Sequence, residues 1–231
     1  ICTTGYENVA IGGNAASALT TGYANVGIGI GAMQGGAQTG NSNVAIGRSA
    51  GYVLTSGVQN VLIGAYAGDA ITTGTDNIGI GYKAASGVTT GTDNTCVGDE
   101  AGQAITTGVK NCAFGHGALF TATTTNNNVA IGRDALYSAT GTTNIGLGYK
   151  AGENISSGTY NIAIGYYNFR AACTGAANIA IGDETMKAVT SGGQSTGVGR
   201  KSLAGVTEGG QNSALGMRAG YSVTTGSNNS F

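Results

Sequence analysis

Short runs of alternating apolar and small residues return along this chain at a fixed interval. The run Asn43-Val44-Ala45-Ile46-Gly47 recurs as Asn8-Val9-Ala10-Ile11-Gly12, Asn60-Val61-Leu62-Ile63-Gly64 and Asn161-Ile162-Ala163-Ile164-Gly165. Its leading residue is Asn8, Asn25, Asn43, Asn60, Asn77, Asn94, Asn111, Asn128, Asn144, Asn161, Asn178, Asn212 and Asn229, with Ser195 filling the one gap. The step is 17 residues, apart from one of 18 (Asn25 to Asn43) and one of 16 (Asn128 to Asn144). A period this strict defines a tandem repeat array.

With the Asn as phase zero, phase one is mostly Val or Ile and phase three is always large and apolar, from Ile11 and Ile28 to Val198 and Leu215. Phase two between them is small in all but Leu62. Alternation over β-branched residues predicts a strand, and the glycine content argues against helix. Phase four is glycine throughout: Gly12, Gly29, Gly47, Gly64, Gly81, Gly98, Gly115, Gly132, Gly148, Gly165, Gly182, Gly199 and Gly216. Such a position requires a backbone that other residues resist, so the strand ends there in a turn. Phases five and six form a polar corner, phase seven returns to Ala, and phase eleven is often Leu, Ile or Val. Thr-Thr-Gly or a variant then closes the unit at a second corner.

Each unit therefore reads as strand, corner, strand, corner. One coil cannot bury its own apolar face, but stacked coils can. The predicted fold is all-β: a parallel β-solenoid (β-roll) of about 13 coils of 17 residues, one domain over residues 1–231. Phases one and three are expected to face inward against phases seven and eleven. The two length irregularities fall at corners, near Gly35-Gly36 and between Ser138 and Gly141. Stacked Asn amides are expected to hydrogen-bond along the axis as a structural ladder. Charges support this register: Asp183 precedes Arg200, Lys83 precedes Glu100, Asp134 precedes Lys150, and Glu184 precedes Lys201, each by one coil. Lys201 before Arg218 is the counter-example.

Composition narrows the function classes. Net charge is −1 and only 9% of residues are charged, so there is no basic stripe for nucleic acid. No apolar run is long enough to insert into a membrane. The first residue is Ile1, and both ends fall mid-unit, which reads as a fragment of a longer chain. Cys2, Cys96, Cys112 and Cys173 occupy four different phases, and Cys96 and Cys112 are expected to point to opposite faces. They read as free thiols.

Candidate chemistry is sparse. His116 is the only histidine and shares phase five with Asp99 and Arg133. It reads as part of a surface ladder, with no nucleophile beside it. Asp99, Glu100 and Asp134 could approach a glycosidase spacing, but Lys83, Arg133 and Lys150 surround them. The Thr column (Thr20, Thr55, Thr72, Thr89, Thr106, Thr190, Thr224) raises an ice-binding idea, weakened because adjacent Thr residues point to opposite faces. Corner tyrosines (Tyr23, Tyr66, Tyr82, Tyr149, Tyr166, Tyr167) could stack on sugars or a partner. No catalytic, metal or cofactor site is expected, and the chain does not read as an enzyme.

The repeated Asn-Val-Ala-Ile-Gly-x-x-Ala resembles the head repeats of YadA-type trimeric autotransporter adhesins. It is also similar to the Thr-Gly-x-x-Asn-x-Ala-Ile-Gly arrays of phage tail fibres. The resemblance implies a left-handed β-roll, three chains side by side, and an extracellular role on a cell surface or virion. The coils of YadA-type heads are shorter than this 17-residue unit. The small phase-two residues suggest a flat outer face, with Ala10, Ala45, Ala113, Ala130, Ala163, Ala180 and Ala214 lining a self-association seam. The expected function is a structural and adhesive rod that contacts a host-surface glycan or protein. The alternative is a filament subunit whose solenoids stack head to tail.

Overall fold

A computed structural model describes residues 4–231. These fall into two compact units, one ending at Thr124 and the other beginning at Thr125. The first holds seven three-residue strands: β1 (Val9–Ile11), β2 (Val26–Ile28), β3 (Val44–Ile46), β4 (Val61–Ile63), β5 (Ile78–Ile80), β6 (Thr95–Val97) and β7 (Cys112–Phe114). The second holds six: β8 (Val129–Ile131), β9 (Ile145–Leu147), β10 (Ile162–Ile164), β11 (Ile179–Ile181), β12 (Thr196–Val198) and β13 (Ser213–Leu215). Within each unit every strand pairs in parallel with the next, one coil along. Both units are thus β-solenoids, and no helix forms among the described residues.

Like phase lies over like phase. Val44 pairs with Val61, Ala45 with Leu62 and Ile46 with Ile63. The register survives both irregular steps: Val26 still pairs with Val44, and Val129 with Ile145. The corners absorb the extra or missing residue and the strands do not slip.

The Asn ladder forms as expected. The Asn60 backbone N–H and its Nδ2 both donate to Asn43 Oδ1 at 3.0 Å. Nδ2 also donates to the Gly74 carbonyl at 2.9 Å, which ties the strand to the far corner of its own coil. Asn60 Oδ1 in turn accepts from the N and Nδ2 of Asn77, both at 3.1 Å. The second unit repeats the pattern through Asn144, Asn161 and Asn178. These amides are buried with their hydrogen-bonding capacity used, the condition under which a buried polar network stabilises. Ser195 keeps only part of it: its N–H reaches Asn178 Oδ1 at 3.0 Å and its Oγ accepts from Asn212 N at 3.2 Å. Its side chain is too short for the cross-coil bond to the carbonyl fourteen residues on.

Two glycine columns set how closely coils approach. Phase-four glycines hold φ between 123° and 134°, and a Cβ on Gly47 would lie 2.6 Å from the Gly64 carbonyl oxygen. At the second corner a Cβ on Gly74 would lie 2.5 Å from the Gly91 oxygen. A side chain at either place collides with the next coil's backbone.

The structure corrects two expectations. The second long side of the coil is not a continuous strand: apart from isolated bridges such as Leu19 with Gln38 and Ile155 with Cys173, it is a series of turns. Phase eight there is left-handed (Ala85 φ 54°, Leu119 52°, Leu136 49°, Phe169 50°), which breaks extended geometry. The first strand also faces the other way. Phase two is buried and phases one and three are not, in every strand from β2 to β13.

The interior is too thin for large residues on both sides. A Cβ on Gly79 would already lie 3.1 Å from the Ala84 carbonyl oxygen and 3.4 Å from the Ala85 Cβ. Phase two and phase eight share one small volume, filled within the coil or from its neighbour: Gly146 and Gly152 are both small, and a Cβ at either would lie 2.7 Å from Leu136 of the preceding coil. Leu62 is matched by Gly68, where a Cβ would be 2.5 Å from Leu62 Cδ2, and Cys96 by Gly102. Gly27 is matched by Met33 and Gly197 by Leu203, while Ala113 accompanies Leu119 and Ala163 accompanies Phe169. The remaining core comes from phases seven and eleven, as expected, with Ala50, Ala67, Leu54, Ile71 and Ile105 at 0–1% exposure.

Two stability outcomes follow from this packing. Ser195→Asn completes the ladder and stabilises the second unit by about 1 kcal/mol, whereas Asn60→Ala strands several buried partners and destabilises by about 3 kcal/mol or more; urea titrations of each variant measure both. Leu62→Ala costs about 2–5 kcal/mol through the void it leaves. Adding Gly68→Leu to it, which recreates the Ala113/Leu119 pairing, recovers part of that loss in a double-mutant cycle, and strict additivity would contradict the shared volume.

Candidate functional site

Period two makes the consequence of the thin interior unavoidable: if the small residues point in, the large ones point out. In the first unit the outer face of the sheet is lined by Val26/Ile28, Val44/Ile46, Val61/Ile63, Ile78/Ile80, Thr95/Val97 and Cys112/Phe114. In the second it is lined by Val129/Ile131, Ile145/Leu147, Ile162/Ile164, Ile179/Ile181, Thr196/Val198 and Ser213/Leu215. No charged residue stands in either column. Phe114 is 53% and Leu147 43% exposed, beside the buried Ala113 and Gly146. At a strand spacing of about 4.8 Å, each unit presents roughly 300 Å² of uncharged, largely apolar face, comparable to the largest apolar patch of an ordinary monomer, which is often functional. A cavity of about 450 Å³ lies on this face over β12 and β13, walled by Val198, Leu215 and Phe231.

The expected seam is therefore on the wrong side of the sheet. Ala45, Ala113, Ala130, Ala163 and Ala180 are 0% exposed and Ala214 is 4% exposed within the single chain, so they cannot line a contact between copies. Ala10, in β1 at the sheet edge, is exposed. The inward side is the one held small at phase two in every coil but that of Leu62, not the more hydrophobic one.

The polar corner carries its charges on left-handed backbone. Lys83, Glu100, Lys150, Glu184 and Lys201 have φ between 51° and 58°. Arg200 Nε contacts Asp183 at 3.2 Å and Lys201 Nζ contacts Glu184 at 3.6 Å, as the register predicts. Lys187, at 2.8 Å, together with Lys201, holds the Glu184 carboxyl below its ordinary range. Lys83 instead lies 5.3 Å from the Tyr82 ring, and Lys150 bonds Glu153 at 2.8 Å. Tyr149 and Tyr166 stack at 5.5 Å, with Tyr167 edge-on to both. His116 is exposed at its corner. No group of His, Cys, Asp and Glu among the described residues could hold a metal ion.

The Thr hydroxyls are engaged along the axis: Thr55, Thr72 and Thr89 Oγ1 donate to the carbonyls of Thr72, Thr89 and Thr106 at 3.0–3.3 Å. That geometry leaves little of the column to order water. Cys96 and Cys112 point to opposite faces as expected, but with the sense reversed, Cys96 inward and Cys112 outward, because the strand faces the other way; both are free, as is the buried Cys173. Cys2 lies outside the described residues. No helix among them is long and apolar enough to cross a membrane. Comparison of the chain with family models, curated proteins and solved structures finds no match.

Burial pushes the Cys96 thiol up to about 12 and the Cys173 thiol up to about 11. Only the thiolate is alkylated, so at pH 8 iodoacetamide leaves both unmodified in the folded chain and labels them on unfolding. Peptide mass mapping checks this, and ready labelling of Cys96 in the folded chain would contradict its inward placement.

Proposed function

We propose that this chain is the structural and adhesive rod of an extracellular fibre, a phage tail fibre or the head of a bacterial surface adhesin, in which three copies associate. The carrying observation is the uncharged outer face of the sheet. A monomer would leave two uncharged columns, made mostly of Val, Ile, Leu and Phe, partly in water, at about 25 cal/mol for each Å² of apolar surface left uncovered. A second copy of the same face is the partner whose period matches it without adjustment. Repeating coils then add contacts in proportion to their number, which suits a stiff fibre rather than a transient complex.

Several features agree with this reading. The interior is already saturated by the chain's own side chains, so the outer columns are not part of a missing core. The corners carry the charges and tyrosines, which leaves them outward for contact with a host-surface glycan or protein while the sheets are covered. The extracellular setting rests on the resemblance of the repeated Asn-x-Ala-Ile-Gly unit to surface-fibre arrays.

Multi-angle light scattering at micromolar concentration tests the association. Discrete trimers are expected, and the double variant Ile46→Glu/Ile63→Glu is expected to shift them to monomers while keeping the strand signal in circular dichroism, since both side chains point away from the core. A stable monomer for the unaltered chain would sink the proposal, and open-ended polymers in electron microscopy would select head-to-tail filaments instead. Cys112, on the same face, gives a second readout: a short bis-maleimide links copies through it if the faces meet.

A further inference from the structure

The second corner of the first unit carries a built hollow that the rod does not need. Tyr6 and Tyr23 occupy the same phase in successive coils, and their rings stack at 4.9 Å with 4° between the planes. The next two residues of that column are Asn41 and Val58, both much smaller. The stack therefore stops at Tyr23. One face of its ring is covered by Tyr6, and the other looks onto a cavity of about 300 Å³ lined by Tyr23, Asn41, Ser42, Val58 and Gln59. That volume is at the lower bound of small-ligand sites.

From this geometry we infer that the hollow is a subsite for a neutral pyranose, which stacks on the free face of Tyr23 and takes hydrogen bonds from the amides and hydroxyl around it. An aromatic face offers a flat apolar platform with its phenol at the edge, the surface that fits the C–H face of a sugar ring. Tyr presents it at low conformational cost, having two side-chain torsions. The rim supplies both donors and acceptors without charge. Ser42 and Gln59 are exposed, and the Asn41 side chain is held in place because its Oδ1 accepts from the Tyr23 N–H at 3.0 Å, which leaves its amide N–H₂ to donate. The floor is fixed by backbone bonds from Ser42 N to Tyr23 O at 3.1 Å and from Gln59 N to Asn41 O at 3.0 Å. The next charge in the Ser42–Gln59 column is Asp76, one coil on, and it is negative. An acidic sugar is disfavoured there and a neutral one is not.

The other tyrosine cluster does not offer the same chemistry. Tyr149 and Tyr166 also stack, but Tyr167 stands edge-on against both, and Lys150 and Arg170 lie over the Tyr167 ring at 5.4 and 5.7 Å. Tyr149 and Tyr166 are themselves 38% and 48% exposed, but the cations over Tyr167 give that surface a charged surrounding, unlike the uncharged rim beside Tyr23.

This inference gives the adhesive part of the proposed function its ligand class, and it gains from the proposed association without requiring it. One pyranose of about a dozen heavy atoms on so small a platform binds with a Kd on the order of millimolar. Three copies in one particle would raise the apparent affinity through effective concentration.

Saturation-transfer NMR with methyl glucoside, methyl galactoside, N-acetylglucosamine and their neutral tetrasaccharides, with sialic acid as the charged comparison, tests the site. The expected result is transfer to at least one neutral sugar, strongest at the C–H protons of one ring face, and none to sialic acid. Tyr23→Ala lowers the affinity at least tenfold. Val58→Tyr, which fills the hollow without removing a hydrogen bond, abolishes binding even if Tyr23→Ala proves unstable, and Tyr160→Ala leaves it unchanged. Absence of transfer from every neutral sugar at 20 mM (roughly ten times that Kd) would overturn the subsite, as would binding that survives Val58→Tyr. Light scattering on the same samples separates the two proposals: trimers that bind no sugar leave the rod and remove the subsite, and a monomer that binds sugar does the reverse.

Discussion

Each coil is held to the next by one amide used completely. Asn60 donates the two bonds that locate it over Asn43, accepts two from Asn77 at its Oδ1, and donates across its own coil to the Gly74 carbonyl. The axial bonds fix the stacking register and the transverse bond fixes the width of the coil. A three-residue strand could not do this alone, because such a strand makes too few ladder bonds to resist slipping. The amide meets both demands because it carries two donors and a two-lone-pair oxygen on one short side chain. Ser195 shows the limit of substitution: its hydroxyl continues the axial chain to Asn212, but it cannot span the coil.

The fixed width governs everything else. Once the transverse bond sets the distance between the two long sides, the interior at the level of the strand has no room for large side chains at both phase two and phase eight of a coil. Leu62 with Gly68 and Gly27 with Met33 are two solutions to the same volume. Large residues at phases one and three have no room inside, so alternation sends them to the surface. The apolar outer face is thus a consequence of the ladder, and the proposed association turns it from an aggregation hazard into a contact surface.

The same tight winding places backbone in costly conformations. Left-handed geometry recurs at three phases of the coil, and much of it is carried by side chains that are not glycine, including Lys83, Leu119 and Gln59. At the phase-six corner this geometry throws long charged side chains outward. At the other corner it carries Gln59 beside Tyr23 and Asn41, where the aromatic column ends and the hollow begins. Function, on this reading, sits on the corners, while the two faces of the strand are divided between core and partner.

Much of this was legible in the residues themselves. A 17-residue step, an Asn at one phase and a Gly four positions later determine a stacked parallel solenoid, because only like-over-like winding satisfies a repeating buried amide and a repeating close approach. The tolerance of the 18- and 16-residue steps at corners, and the Asp183–Arg200 and Glu184–Lys201 contacts, follow from that winding. The direction of the strand's two faces does not. Alternation separates odd from even positions but carries no sign, and the usual assumption that the larger apolar set lies inside fails when the interior is narrower than a Leu facing a Leu. Only the tertiary structure, by placing the Ala85 Cβ 3.4 Å from where a Cβ on Gly79 would lie, decided that the alanines are core and the valines and isoleucines are surface.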